Sequence, residues 1–284
     1  MLPSLAHHRV ALVERPESLR REGSLAAPLV AELEALGATV EPVDANAMHR
    51  LDAAPPWDVL VLKSGEPAAL HLAAAAEAAG VLCVNGAEAT RRAQDRIASM
   101  ALLRDAGLPV PRHVSLQLDD HHRPRGDADL GVRRVVVKSV HGSQGRTVWA
   151  VDAADLGALW PTLPPGPYLV MAHAGQTGDD LKVFVAGHWL SAIHRPFPAR
   201  TYEDKLGRPA PIEPQVAELA RACGEALQLT CYGVDLVAAP SGWAIVDVNA
   251  FPGYKGAAGA PRAVAAAIAA VARAAADREP TPGS

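Results

Sequence analysis

The sequence is poor in aromatic residues, in cysteine and in cationic excess, and each shortage excludes something. Aromatics make up 4% of the 284 residues, which leaves few stacking platforms for single-stranded nucleic acid. Three cysteines, Cys83, Cys223 and Cys231, are scattered without C-x-x-C spacing. They make neither a disulfide framework nor a zinc signature, and read as small buried hydrophobes. Lys and Arg total 27 against 31 Asp and Glu, a net charge of −4. That excludes the sweeping basic surface of a nonspecific nucleic-acid binder but leaves room for a local cationic pocket. A long apolar run is also missing. The alanine-rich stretch 263–276 is interrupted by Arg273 and falls short of the roughly 20 residues a membrane span needs. Residues 1–13 carry His7, His8 and Arg9 and no apolar core, so no secretory signal is expected. The expectation is a cytoplasmic protein that binds neither nucleic acid nor membrane, with its oligomeric state left open.

What is present is a chain rich enough in apolar residues (49%) and long enough to bury a sizeable core. The first ninety residues alternate strand and helix patterns: apolar runs at 10–13, 39–43, 59–62 and 81–84 separated by helical stretches. Leu25, Leu29, Leu33 and Leu36 form one such helical stripe, and residues 68–79 another. This β-α-β order implies an α/β lobe with a small parallel sheet. A single helix is expected over 88–106, then an exposed loop at 119–129. Strands are expected at 134–138, 147–151, 168–171, 181–185 and 190–193. Residues 200–214 read as a mobile, proline-bearing loop and 214–227 as a helix. Strands at 234–238 and 243–248 precede the closing alanine-rich helix. There is no internal repeat.

Two constellations carry chemistry. Val135-Val136-Val137-Lys138 is followed by His141-Gly142-Ser143-Gln144-Gly145. A lysine ending a buried strand can neutralise a phosphate, and glycines let backbone amides approach phosphate oxygens. A plain hairpin with an exposed lysine would carry the same letters. The second is Gly233-Val234-Asp235 with Ile245-Val246-Asp247-Val248-Asn249. Residues i and i+2 of a strand share a face, so Asp247 and Asn249 project together and Asp235 can join them from the neighbouring strand. This all-oxygen set suits Mg²⁺, which takes a few protein oxygens plus nucleotide phosphates.

In these residues and their order the chain resembles the ATP-grasp superfamily. Val246-Asp247-Val248-Asn249-Ala250-Phe251-Pro252-Gly253-Tyr254-Lys255-Gly256, Leu181-Lys182-Val183-Phe184-Val185-Ala186-Gly187, His194-Arg195-Pro196 and Asp95-Arg96 look most like the inositol 1,3,4-trisphosphate 5/6-kinase branch. In that branch Asp stands where peptide-ligase relatives usually carry Glu. The glycine loop, in contrast, is similar to the ribosomal protein S6 glutamate ligases. Phe197 also replaces a serine common in the kinases, and the serine-bearing lid is shortened to 199–211. The kinases' N-terminal lysine cluster is replaced by Arg15, Arg20 and Arg21.

The resemblance implies an ATP-grasp fold. Residues 1–90 would form a Rossmann-like parallel-sheet lobe, 91–167 a small central lobe, 168–277 a C-terminal lobe with the metal site, and 278–284 a frayed tail. It implies ATP and Mg²⁺ as cofactors, with Asp235, Asp247 and Asn249 on the metal. Lys138 and Arg96 would contact ATP phosphates, and Ser143, Lys182 and Arg195 would also bind the nucleotide. The segment Met171 to Lys182, with Met171, Ala172 and His173, would form a hinge that reads adenine. Lys182 and His141 would be catalytic. Arg20, Lys63, His141, Arg146, Lys182, Asn249 and Gly253 would face a small anionic acceptor. The activity implied is phosphoryl transfer to a phosphorylated polyol. The alternative is a carboxylate–amine ligase working through an acyl phosphate, and a noncatalytic nucleotide binder is the third reading.

Overall fold

The computed structural model describes residues 4–49, 54–140, 147–175, 179–197, 199 and 201–277. The first sheet is parallel, in the order β2-β1-β3-β4, from β1 (Arg9–Glu14), β2 (Thr39–Asp44), β3 (Val59–Leu62) and β4 (Leu82–Val84). Three helices lie in its connections: α1 (Pro16–Arg20), α2 (Ala26–Ala35) and α3 (Pro67–Ala78). β3 is buried along its whole length, as an unbroken apolar run in a parallel sheet requires.

The single helix expected over 88–106 is two, α4 (Ala87–Gln94) and α5 (Arg96–Asp105). Asp95 makes the break. Its backbone is extended (φ −84°, ψ 102°), and its carboxylate accepts hydrogen bonds from the backbone N–H groups of Ile97 at 2.9 Å and Ala98 at 3.1 Å. An aspartate satisfies orphan amides better as a cap than it serves a helix interior.

The middle sheet, order β6-β5-β9-β7-β8, is antiparallel. It comprises β5 (His113–Leu118), β6 (Pro124–Arg125), β7 (Arg134–Ser139), β8 (Val148–Asp152) and β9 (Gly166–Ala172). β5 has no counterpart in the sequence reading. The proline-bearing connection to β9 holds α6 (Leu156–Leu159) and buries Trp160 in this lobe's core.

The third sheet, also antiparallel, runs β12-β11-β10-β13-β14, from β10 (Asp180–Ala186), β11 (Trp189–Arg195), β12 (Arg208–Ala210), β13 (Cys231–Ala239) and β14 (Gly242–Ala250). The stretch expected as a mobile loop, 200–214, instead holds α7 (Tyr202–Leu206) and β12. Thr201 and Asp204 cap α7 reciprocally, and β12 pairs with β11. The capping pair T-x-x-D and the local pairing outweigh the polar composition. Helices α8 (Pro214–Leu227) and α9 (Ala260–Ala276) complete the fold.

The packing redraws the expected lobes. Residues 168–172 belong to β9 and hydrogen-bond to β5 and β7, in the middle sheet. Helices α4 and α5 bury Ala89, Ala93, Met100 and Leu103 in one core with Leu181, Val183 and Val234 of the third sheet. We therefore propose that the middle lobe spans about 113–172, with α4 and α5 part of the C-terminal lobe. The expected tail, 278–284, lies outside the described residues.

Helix α9 buries Val264 and Ile268 against Leu29 and Leu33 of α2, so this helix docks on the parallel-sheet lobe. Asn85 makes a second bond between these regions. Its buried amide donates to the Cys231 carbonyl at 2.7 Å and accepts from the N–H groups of Thr230 (2.8 Å) and Cys231 (2.9 Å).

Candidate active site

A cavity of about 420 Å³ lies between the middle and third sheets and continues to the C-terminal ends of β1 and β3. The parallel sheet reverses its winding between those two strands, the place where open α/β sheets take ligands. Val136, Val148, Met171, Ala172 and Val246 give the far end of the cavity an apolar slot. Charged groups fill the middle.

The register of the third sheet builds that charged middle. β10 and β13 set Lys182 opposite Asp235, and β13 and β14 set Asp235 opposite Asp247 and Gly233 opposite Asn249. Lys182 Nζ donates to Asp235 Oδ1 at 2.6 Å, and Arg195 Nη2 stands 3.5 Å from the same oxygen. Asn249 Nδ2 lies 3.5 Å from Asp235 Oδ2. Burial alone would raise the Asp235 carboxyl, but the Lys182 ammonium and Arg195 guanidinium outweigh it and hold the carboxyl below its ordinary value.

The middle sheet and α5 supply the facing cations. Lys138 is buried at the end of β7, and its ammonium donates to the Val246 carbonyl. Desolvation pulls it below its ordinary value, opposed by the Asp247 carboxylate. Arg96 opens α5 because Asp95 ends α4. It donates to the Ser139 carbonyl and stands 3.5 Å from Asp247 Oδ2.

Eleven residues expected to act at the site therefore line one cavity: Lys63, Arg96, Lys138, Met171, Ala172, Lys182, Arg195, Asp235, Asp247, Asn249 and Gly253. Two do not. Arg20 ends α1, exposed and outside the cavity lining, and the chain then turns extended at Arg21, which lines the cavity. His173 lies just past β9, where its Nδ1 accepts the Gly175 N–H at 3.1 Å. His141, Ser143 and Arg146 lie outside the described residues.

Four charged lining residues were not assigned a role at the site from sequence: Glu14, Asp180, Lys205 and Lys255. Glu14 ends β1 and pairs with Lys63 at the end of β3, both shielded from solvent. A carboxylate closing an apolar strand was the available signal. Asp180 opens β10 and is 4% exposed, and its Oδ1 finds no hydrogen-bond partner among the described residues. Burial, then the nearby Asp235 carboxylate, push its carboxyl up to about 6. Elsewhere, Arg91 and Arg92 pair with Glu88 on an exposed helix face, as a solvated surface would.

A parallel-sheet lobe and two antiparallel sheets closing on a charged cavity define an ATP-grasp architecture. Residues 93–271 match the family described as "RimK-like ATP-grasp domain", and the chain belongs to that family. A probable alpha-L-glutamate ligase of Parasynechococcus marenigrum is 29% identical over 194 residues, covering 63% of this chain and 41% of that protein. The chain thus spans less than half the length of that relative. A ribosomal protein bS6--L-glutamate ligase of Salmonella schwarzengrund is 26% identical over 234 residues, covering 76% of each.

Among solved structures, a RimK domain ATP-grasp protein of Sphaerobacter thermophilus superposes with a TM-score of 0.71 at 22% identity, over 93% of this chain and 99% of that one. A Bacillus anthracis D-alanine–D-alanine ligase in complex with ATP gives 0.71 at 17%, over 96% and 100%. The ATP-grasp ligase PsnB, with a minimal precursor, Mg and ADP, gives 0.66 at 18%, over 93% and 98%. These likenesses bear out the expected α/β ATP-grasp fold. The expected cofactors, ATP and Mg²⁺, are those of the family. The expected inositol phosphate kinase branch is not the family matched, and the relatives named here stand on the ligase side. Among the described residues no helix is long and apolar enough to cross a membrane.

The donor set fits Mg²⁺. Two carboxylates and an amide meet across paired strands, with no nitrogen or sulfur ligand among them. No group of three His, Cys, Asp or Glu that could hold a metal ion occurs among the described residues. A cation that draws its remaining oxygens from phosphates and water does not require one.

Proposed function

We propose that the protein is an ATP- and Mg²⁺-dependent carboxylate–amine ligase. What carries this reading is the match of 93–271 to the RimK-like family. The cavity supports it, since it continues past the nucleotide end to a second, cation-lined end. Glutamate, which the relatives' names specify, is the first candidate for one of the two joined molecules. The other is a small acid or the carboxylate of a peptide or protein.

In this reading the apolar slot takes adenine, and Asp180 Oδ1 accepts a hydroxyl from the sugar. Asp235, Asp247 and Asn249 hold Mg²⁺, which neutralises phosphate charge when bound. Lys138, Arg96, Lys182 and Arg195 hold the phosphate chain and offset the charge that spreads over the transferred group. An acceptor carboxylate oxygen bonds to the γ-phosphorus as the bond to the β–γ bridging oxygen breaks, releasing ADP. The amine nitrogen of the second molecule then attacks the acyl carbon. Phosphate leaves, and the amine loses a proton.

Incubation with ATP, Mg²⁺, glutamate and carboxylate-bearing peptides should release ADP and free phosphate together. A phosphorylated alcohol with ADP and no free phosphate would sink the ligase reading. It would favour the kinase reading, which rests on Asp247 standing where ligases usually carry Glu.

A further inference from the structure

Three cations outside the nucleotide arrangement meet on the opposite wall of the cavity. Arg21 follows α1, Lys205 sits on α7, and Lys255 lies in the turn after β14. Lys63, Lys182 and Arg96 each have a carboxylate within 4.0 Å. For Arg21, Lys205 and Lys255 no such ion pair is found among the described residues.

Their meeting is built into the backbone. Gly23 has φ +67°, and a Cβ there would lie 2.2 Å from the Tyr202 hydroxyl oxygen. Gly256 has φ +78°, and a Cβ there would lie 1.8 Å from the Leu206 carbonyl oxygen. At Gly256 only glycine admits the backbone of α7, and at Gly23 the positive φ favours glycine while the close neighbour is the tip of the Tyr202 side chain. Wedged there, α7 sets the Tyr202 ring 4.7 Å from Lys255 Nζ and brings Lys205 alongside. The Lys255 ammonium is pushed below its ordinary value by desolvation and by Arg21 and Lys205. Lys205 and Lys255 are half-buried and Arg21 is exposed; like charges held this close repel one another, and an anion between them would offset that cost.

We propose that Arg21, Lys205 and Lys255 form a subsite for a carboxylate of the acceptor that does not react, so the acceptor carries two acidic groups. The identity of the group rests on the ligase reading; the subsite itself rests on the cluster. A dicarboxylate spans the cavity with one end at the phosphate-holding residues and the other at this wall.

The test is calorimetric titration of the full chain, with a non-hydrolysable ATP analogue and Mg²⁺ present, with glutarate, its monomethyl ester and glycerol 2-phosphate. Glutarate should bind saturably and about tenfold or more tighter than the monoester, and the binding should weaken with added salt. Lys205→Gln and Lys255→Gln should each weaken glutarate about tenfold and leave the affinity for the ATP analogue unchanged. Arg21→Gln, on an exposed side chain, is the variant least able to disturb folding and should do the same. Equal affinity for glutarate and its monoester overturns the proposal. So does unchanged glutarate affinity in the variants, a preference for glycerol 2-phosphate, or no saturable glutarate binding. Glutarate binding through these residues without phosphate release from any dicarboxylate would keep the subsite and sink the ligase reading. Phosphate release from monocarboxylates as readily as from dicarboxylates, without glutarate binding, would do the reverse.

Discussion

At the end of the cavity proposed for nucleotide, Arg96, Lys182 and Arg195 each stand against a carboxylate, whereas Arg21, Lys205 and Lys255, at the end proposed for the acceptor, have no such ion pair among the described residues. The first group is carried by β10, β11 and the start of α5, facing acids on β13 and β14 whose register fixes the spacing. The second is carried by a helix end, a five-residue helix and a turn, held together by two close glycine contacts. A shared chemistry calls for a rigid, self-balanced end that handles ATP. A selective one calls for an end whose charge is balanced by the particular molecule that arrives.

Substitutions can break this contrast in order of size. Asp247→Ala removes a charge from the balanced end, next to Arg96, and should cut ATP turnover by about 10²–10³-fold. Circular dichroism should still show a folded protein, and full turnover would refute the metal assignment. Asn85→Ala strikes the join between the parallel-sheet lobe and β13. It leaves the Thr230 and Cys231 amides without their acceptor, and should cost about 2–5 kcal/mol in denaturant unfolding.

Asp180→Asn separates stability from binding at the nucleotide end. The folded-state carboxyl is raised to about 6, so the folded protein binds the extra proton and the wild type loses stability as pH rises from about 4 to 6. Unfolding between pH 4 and 8 should show the variant without that loss, on the order of 1–3 kcal/mol more stable at neutral pH. Its affinity for the ATP analogue should fall. Asp95→Ala makes the smallest change, about 1 kcal/mol for the lost cap. Its weaker nucleotide binding would report the misplacement of Arg96.

The same contrast governs what could be read from sequence. Asp235, Asp247 and Asn249 were legible because strand periodicity places i and i+2 on one face, and two adjacent apolar runs can be paired by inspection. Lys138 was legible as a cation ending a buried strand, whereas Lys182 came only from the motif order. Arg96 needed the motif order, since periodicity alone ran one helix straight through Asp95. The cluster at the acceptor end was not legible as a site. Residues 21, 205 and 255 are far apart in the chain, and α7 lay in a stretch whose composition reads as loop. Asp180 was missed for a related reason: only the folded environment shows its oxygen buried and unpartnered. The kinase branch was favoured by the motif around Asp247. In the proposed reading that motif concerns how metal and nucleotide are held, a task kinases and ligases share, and so it does not report what is phosphorylated.

The most direct measurement of the ligase claim follows an oxygen atom. An acceptor carboxylate enriched in ¹⁸O is incubated with the protein, ATP, Mg²⁺ and either glutamate or hydroxylamine as the amine. Attack through an acyl phosphate carries one carboxylate oxygen into the phosphate released, so mass spectrometry should find one ¹⁸O in each phosphate formed. Turnover that yields only unlabelled phosphate, or a labelled acceptor phosphorylated on a hydroxyl, would contradict the account.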